Sequence, residues 1–209
     1  MVWVPDSTTP GYLGPRAAPS PHPLYDDEWD NFLHDMIAGI TGLESTLIRP
    51  RWQPEPPNMP DFNVDWVGFG VMSTEVDFCP AIVHVDTGTD EYDALQEHEI
   101  DTVLCSFYGL NCSRYASYLR RGLFLDQNRA IFRANAVGLV EVSAFTAAPE
   151  LYKERWLDRI DTNVLLRREI RFDYSVRTIQ RAYGTIKANR PLDSRTVIDG
   201  KGFDTGFIP

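Results

Sequence analysis

The prolines near the amino terminus restrict the fold more than any other feature of this sequence. Between Val4 and Pro23 the chain carries six prolines, interleaved with Gly, Ser and Thr. Each proline lacks a backbone N–H donor and has a fixed φ, so this stretch can form neither a helix interior nor a central strand. We therefore predict an extended arm over residues 1–25, which would either order on a neighbouring subunit or stay disordered.

A helix pattern follows the arm. Acidic residues at positions 26–28 suit the positive end of a helix dipole, and Gly42 is expected to end the helix. Two further helices are expected, one from Asn111 and one from Asp126. The apolar face of the first helix would comprise Trp29, Phe32, Leu33, Met36, Ile37 and Ile40, and those of the others Tyr115, Tyr118, Leu119 and Leu123, then Ile131 and Phe132.

Strand patterns occupy most of the remaining chain. They cover residues 47–53, 63–76, 79–85, 95–108, 139–145 and 156–176, with Gly68 and Gly70 suggesting a bulge in the second. Helices separate these strands in only one place. The order predicts an α+β fold, in which an N-terminal helix and a central helix pair pack on a mostly antiparallel β-sheet. This domain would span residues 26–177, and residues 178–209 would form a C-terminal extension with a short strand at 182–186.

The charge is divided unevenly along the chain. The net charge of −10 and the pI near 4.8 argue against a protein that grips nucleic acid through a basic surface. Residues 1–102 carry three basic and nineteen acidic residues, a net −16, whereas residues 103–209 carry 17 basic and 11 acidic residues, a net +6. The two halves could pair as neighbours within one sheet, or an acidic edge could face the basic edge of the next subunit in a ring.

The cysteines and the chain start give little sign of a secreted or membrane protein. Cys79, Cys105 and Cys112 include no CxxC pair, so neither a disulfide framework nor a zinc knuckle is predicted. The first residues lack a basic segment followed by an apolar core, and no run approaches the roughly 20 apolar residues of a membrane span. We expect a soluble protein with reduced thiols, made in a cytoplasm, with no membrane partner.

No catalytic, cofactor or metal site is predicted. The acidic turn with Asp86, Asp90, Glu91 and Asp93 lacks the alternating ligand pattern of a calcium loop. The serines beside Cys105 and Cys112 lack a glycine-framed nucleophile elbow. One enzyme alternative stays open, a metal-dependent hydrolase that would use His84, Asp86 and His98, although these residues also fit the polar face of ordinary strands.

Four sequence blocks carry a family resemblance. In chain order they read RWQPEPPNMPDFNVDWVGFGV, EHEIDTVLCSFYG, GLFLDQNRAIF and APELYKERWLDRIDTNVLLRRE, and they span Arg51 to Glu169. Their combination resembles the neck or tail terminator proteins of contractile-tailed bacteriophages. The proline-rich arm and the segment after Tyr174 lie outside this resemblance.

The resemblance implies a structural virion protein at the top of the phage tail. It implies a homo-hexameric ring that caps the tail tube, near the sheath, and joins it to the head–tail connector and collar proteins. Genomic DNA would pass through the lumen without sequence-specific binding, and an acidic lumen would repel its phosphates. Another neck component, a connector or collar protein, is the alternative. Candidate residues are Trp3, Tyr12, Arg155, Arg159, Arg167, Arg168 and Arg171 for subunit contacts, and Asp86, Asp90, Glu91 and Asp93 for the lumen or an interface.

Overall fold

The structure is a computed structural model that describes residues 23–55, 57–88 and 91–175. All of these residues belong to one compact unit that ends at Ser175. Trp3, Tyr12, Asp90 and the expected strand at 182–186 lie outside the described residues. The predicted limits of the arm and of the C-terminal extension therefore remain predictions.

The described residues form three α-helices at the predicted places. They are α1 (Asp26–Thr41), α2 (Cys112–Gly122) and α3 (Asp126–Ala134). The prediction for the first helix is confirmed, because Gly42 directly follows α1 as its C-cap, with a φ of 71° and an N–H that donates to the Ala38 carbonyl at 2.9 Å. No helix among the described residues is long and apolar enough to cross a membrane.

The predicted apolar faces of α2 and α3 are partly wrong. Tyr118 and Ile131 are exposed, and Tyr118 is one position away from the buried row. In α2 a helical spacing of four, three and four residues buries a different row, which comprises Cys112, Ala116, Leu119 and Leu123.

Nine strands are described. They are β1 (Ile48–Pro50), β2 (Trp66–Val76), β3 (Ala81–Asp86), β4 (Glu91–Tyr108), β5 (Val137–Val142), β6 (Thr146–Ala147), β7 (Glu150–Tyr152), β8 (Arg155–Leu157) and β9 (Arg159–Ser175). Seven form one sheet in the order β1-β2-β4-β9-β5, with β3 paired to β4 and β6 paired to β9, and β7-β8 form a separate pair. All pairs are antiparallel except β1–β2. The predicted α+β class with a mostly antiparallel sheet is confirmed.

Two strand predictions need correction. The single strand expected over 156–176 is interrupted, because β7 and β8 form a hairpin before β9 begins. Lys153 and Glu154 make its two-residue turn with positive φ values of 47° and 63°, the sign that a type I′ turn requires at both positions. The bulge in β2 lies between Val71 and Ser73, and not at Gly68 or Gly70.

One face of the sheet packs against the helices. Alternate residues of β4, from Val103 to Phe107, are fully buried in the same cluster as Leu33 of α1 and Leu119 of α2. We call this the helix face. The intervening residues of the strands, which include Ser106 and Tyr108, point to the opposite face, which we call the far face.

The strand β4 pairs with two strands, β2 and β3, along one of its sides. Its residues from 99 onward pair with β2, and residues 91–96 pair with β3. Residues 171–175 of β9 pair with the same part of β4 on its other side. We call β3, residues 91–96 and residues 171–175 the three-stranded extension, since β2 and β5 take no part in it.

Candidate assembly surfaces

The arginines predicted for subunit contacts fall into different environments because successive strand residues face opposite sides. On β9, Arg167 lies on the far face and is exposed, whereas Arg168 lies on the helix face and is only 6% exposed. A side chain with so little exposure offers almost no surface to another subunit. We therefore do not keep Arg168 among the interface candidates.

Arg168 is instead the centre of a buried charge cluster. Its guanidinium group lies 2.6 Å from Glu99 (Nη2 to Oε2) and 2.7 Å from Asp101 (Nε to Oδ2), the latter without hydrogen-bond geometry. It also lies over the Trp29 ring at 4.5 Å, and Nη1 donates to the Leu24 carbonyl. The cluster thereby holds the residues around the start of α1.

Burial raises the pKa values of two groups in and beside this cluster. The pKa of Glu99 is raised, first by desolvation, while the positive charge of Arg168 acts in the opposite direction. The pKa of Tyr25 is raised as well, again first by burial. Both carboxylates come from the acidic half of the sequence and Arg168 from the basic half, so here the opposite charges meet as neighbours within one sheet.

The other candidate arginines retain some exposure. Arg159 forms a two-bond pair with Asp161, with Nε–Oδ1 and Nη2–Oδ2 distances of 2.8 Å. Arg171, in the three-stranded extension, lies 3.4 Å from Asp173 (Nε to Oδ1). Arg155 lies in β8 with its guanidinium group 5.8 Å from the centre of the Phe62 ring.

The predicted acidic turn is shorter than expected, because Asp86 belongs to β3 and both Glu91 and Asp93 belong to β4. Asp86 ends β3 and lies opposite Glu91 at the start of β4, while Asp93 lies opposite His84. His84 Nδ1 and Asp93 Oδ1 are 2.9 Å apart, and this hydrogen bond is the main cause of the raised pKa of His84. Asp86 Oδ1 accepts a 2.7 Å hydrogen bond from the Gly88 N–H.

The residues of the enzyme alternative are not brought together as a metal site. His84 pairs with Asp93, whereas His98 Nδ1 lies 3.3 Å from Asp77 Oδ2 further along β4. Within residues 23–55, 57–88 and 91–175, no group of three or more His, Cys, Asp or Glu side chains could hold a metal ion.

The three cysteines are free thiols. Cys105 is buried beside the helices, and burial raises its pKa to about 12. The pKa of Cys112 is raised too, first by desolvation. Both positions therefore disfavour the thiolate that nucleophilic chemistry requires.

A stack of four side chains crosses the far face beside β1. The rings of Trp66 and Tyr108 are parallel, with centroids 4.0 Å apart. The Arg49 guanidinium group lies 5.6 Å from the centre of the Trp66 ring, and that of Arg159 lies 5.5 Å from the centre of the Tyr108 ring. Trp66 and Tyr108 form the floor of a groove.

The groove has a volume of about 320 Å³ and is mainly apolar. Trp52 forms one wall at 68% exposure, with a positive φ of 58° that is unusual for a bulky residue. Gly70 makes room for it, because a Cβ at that position would come within 2.8 Å of the Trp52 ring. We call this site the aromatic groove, and it is lined by Arg49, Pro50, Arg51, Trp52, Gln53, Pro57, Met59, Trp66, Gly68 and Tyr108.

Further apolar side chains are exposed, among other places, at the elbow between α2 and α3, on the strand β3 and on the β7–β8 hairpin. Scattered apolar residues are ordinary on a protein surface, but groups of large ones mark contact sites. The exposed residues are Phe124, Leu125 and Ile131 at the elbow, Ile82 and Val83 on β3, and Trp156 on β8.

The chain matches the family model described as phage neck terminator protein over residues 28–190, which is most of its length. This chain belongs to the phage neck terminator family. No curated protein matches its sequence. The family confirms the resemblance carried by the four sequence blocks, and it assigns the chain a structural role in the phage neck and hence a place in the virion.

Some exposed positions of this family member could be predicted from its sequence, and others could not. The exposure of Arg167 and Arg171 agrees with the alternation of β9, and the same alternation places Arg168 in the buried row of Val164, Leu166 and Ile170. The aromatic groove was missed because its residues come from three separate segments, near positions 50, 66 and 108. The GFG sequence at 68–70 was the one available signal, since it indicated a close approach of other atoms to the strand.

Proposed function

We propose that this protein forms a homo-hexameric ring that caps the tail tube and joins it to the head–tail connector and collar proteins, with genomic DNA passing through the lumen. The observation that carries this proposal is the family match over residues 28–190. The ring acts by shape and mutual fit and catalyses no reaction. A closed ring requires two different surfaces on each subunit, one for each neighbour.

The strand β3 is our candidate for the first surface. Its apolar side chains are exposed, with Val83 at 54%, and no described strand pairs with its outer edge. An exposed apolar edge strand readily adds a strand from another chain, because its backbone N–H and C=O groups need partners. A monomer would therefore carry an aggregation risk at β3 that assembly removes.

Residues 171–175 of β9 are our candidate for the second surface. They pair with β4 on one side, and no described strand pairs with them on the other. Pairing of β3 with this segment of the next subunit would continue the sheet from subunit to subunit. Arg171 and Asp173 lie on this segment and would set the register by charge.

The carboxylates of the three-stranded extension are our candidates for the lumen. Asp86 and Glu91 lie directly opposite each other on β3 and β4, and Asp93 lies two residues further along. Asp90, which precedes Glu91 in the sequence, completes the predicted set. A lumen lined by such side chains would repel DNA phosphates and leave the duplex free to slide.

Native mass spectrometry and negative-stain images of the full chain, alone and with tail tubes, test this function. We expect a six-subunit ring at the end of each tube. Val83→Lys should abolish the ring, because a charge at the pairing edge opposes strand addition. Val140→Lys, at a similarly exposed β5 position (51%), is the matched control and should leave it intact.

Three results would contradict the proposal in different ways. A wild-type chain that stays monomeric with and without tubes would remove the ring. A different subunit count with binding to the connector instead of the tube would indicate the alternative neck component. Stoichiometric bound metal in elemental analysis would reopen the enzyme alternative.

A further inference from the structure

The aromatic groove has the chemistry of a site for a proline-rich chain. Such ligands bind between flat aromatic side chains, because a polyproline II segment presents apolar ring edges and has little conformational entropy to lose. Here Trp52, Trp66 and Tyr108 supply the aromatic surface. Arg49 and Arg51 line the same groove and bring N–H donors to it.

The groove is costly to maintain when empty. Trp52 keeps most of its surface in water and has a backbone conformation that bulky residues avoid. A bound chain would provide the apolar cover that Trp52 lacks.

The amino-terminal segment of this protein has the matching sequence. Residues 1–22 carry prolines at positions 5, 10, 15, 19 and 21, together with the aromatic residues Trp3 and Tyr12. In an extended polyproline II form, 22 residues span about 68 Å at about 3.1 Å per residue. The groove lies nine strand residues from the Arg168 cluster, counted along β4 from Glu99 to Tyr108, or roughly 30 Å. The segment is therefore long enough.

The geometry favours the groove of another subunit over the segment's own groove. The segment leaves the domain at Leu24, which Arg168 holds on the helix face of the sheet. The groove lies on the far face, where Ser106 accepts a hydrogen bond from Arg51. To reach its own groove the segment would have to reverse around a sheet edge, which a semi-rigid proline-rich chain resists.

We propose that residues 1–22 of one subunit dock in the aromatic groove of a neighbouring subunit of the same chain. This inference rests on the proposed ring, which brings a second copy within reach. Tyr12 and Trp3 are the anchors that contact the Trp52 wall and the Trp66–Tyr108 floor. The docked arm ties adjacent subunits together in addition to the strand contact at β3.

Site-specific photo-crosslinking in the full-length protein tests the proposal. Tyr12 is replaced with the photoreactive residue p-benzoylphenylalanine, the assembled protein is irradiated, and the products are separated on a denaturing gel. We expect a band of two covalently joined chains, with the crosslink mapped by mass spectrometry to residues 49–59, Trp66 or Tyr108. A crosslink within one chain would migrate as a monomer, so the gel separates the two geometries.

Substitutions in the groove provide the matched comparison. Trp52→Ala should lower the yield of the dimer band at least about tenfold, because loss of a central aromatic contact commonly costs that much affinity. Trp156→Ala removes an equally exposed tryptophan (69%) outside the groove and should leave the yield unchanged. Met59→Glu, which puts a charge in the groove wall, should lower the yield of the dimer band as Trp52→Ala does. Agreement between these two unrelated changes would show that the loss does not come from misfolding of one variant.

The outcomes separate this inference from the proposed function. Crosslinks confined to single chains, or mapped outside the groove, would overturn the docking of the arm on a neighbour. If native mass measurement still finds the ring in that case, the proposed function stands and only the arm contact is wrong. If no ring is found, the proposed function itself fails.

Discussion

Replacing Arg168 with methionine tests the role of the buried charge cluster. Methionine retains most of the side-chain volume, so the change removes charge without a large cavity. The side chains of Glu99 and Asp101 are only 12% and 1% exposed, and both would lose their cation. Breaking a buried ion pair by removing one partner costs about 3–5 kcal/mol in free energy of unfolding, because the remaining charge stays desolvated. We expect a loss of that size at pH 7.

The pH dependence of this loss has a definite sign. Burial raises the pKa of Glu99, so the folded state binds a proton more tightly than the unfolded state. The free energy of unfolding therefore falls as the pH rises above the pKa that Glu99 has in the unfolded chain. Without Arg168 the pKa of Glu99 rises further, and the pH range over which stability falls becomes wider. The difference between variant and wild type should therefore be largest near neutral pH and shrink towards about pH 4, where carboxyl groups become protonated.

Urea unfolding followed by circular dichroism at several pH values measures both effects. Arg167→Met is the matched control, because this exposed neighbour on the same strand should change the free energy of unfolding by no more than about 0.5 kcal/mol. Adding Glu99→Gln and Asp101→Asn to the Arg168→Met chain should recover part of the loss. Equal unfolding curves for the two Arg→Met variants, or a loss that grows as the pH falls, would refute the reasoning.

The remaining predictions concern two glycines and one histidine. Gly122→Ala should lower the melting temperature, with a loss of about 1–3 kcal/mol, because its Cβ would collide with Ile40 of α1. Gly39→Ala, with open space around its Cβ, should stabilise α1 by up to about 1 kcal/mol, and a loss there would contradict the helix argument. NMR titration should give His84 a pKa above 6.5, and Asp93→Asn should lower it; an unchanged value in the variant would exclude that hydrogen bond as the cause.

Local patterns predicted the elements whose causes lie within a few residues of sequence. Helix α1 was predictable because its apolar spacing, its acidic first turn and Gly42 all agree on one helix. The β7–β8 hairpin was not, because Lys153 and Glu154 have no intrinsic preference for positive φ. The packing around these residues imposes a turn that their sequence does not favour.

The features that local sequence patterns could not predict depend on the pairing of strands that lie far apart in the sequence. The alternation of Val164, Leu166 and Ile170 puts Arg168 on the helix face, but only the register of β4 against β9 brings Glu99 opposite it. In the same way, the aromatic groove exists because β1, β2 and the end of β4 are neighbours in space. The opposite charges of the two halves were compatible with such pairing within one sheet, but also with pairing between subunits, and could not specify which residues would meet.

The pairing of β4 with β9 has a mechanical consequence. The two strands lie side by side over seventeen register pairs, from Tyr92–Ser175 to Tyr108–Arg159. A tension applied along the strands, pulling the ends of β4 and β9 in opposite directions, would load all of these hydrogen bonds at once in shear. The short β7–β8 hairpin could be peeled open one bond at a time. The subunit is therefore stiffest along the axis that joins the three-stranded extension to the aromatic groove.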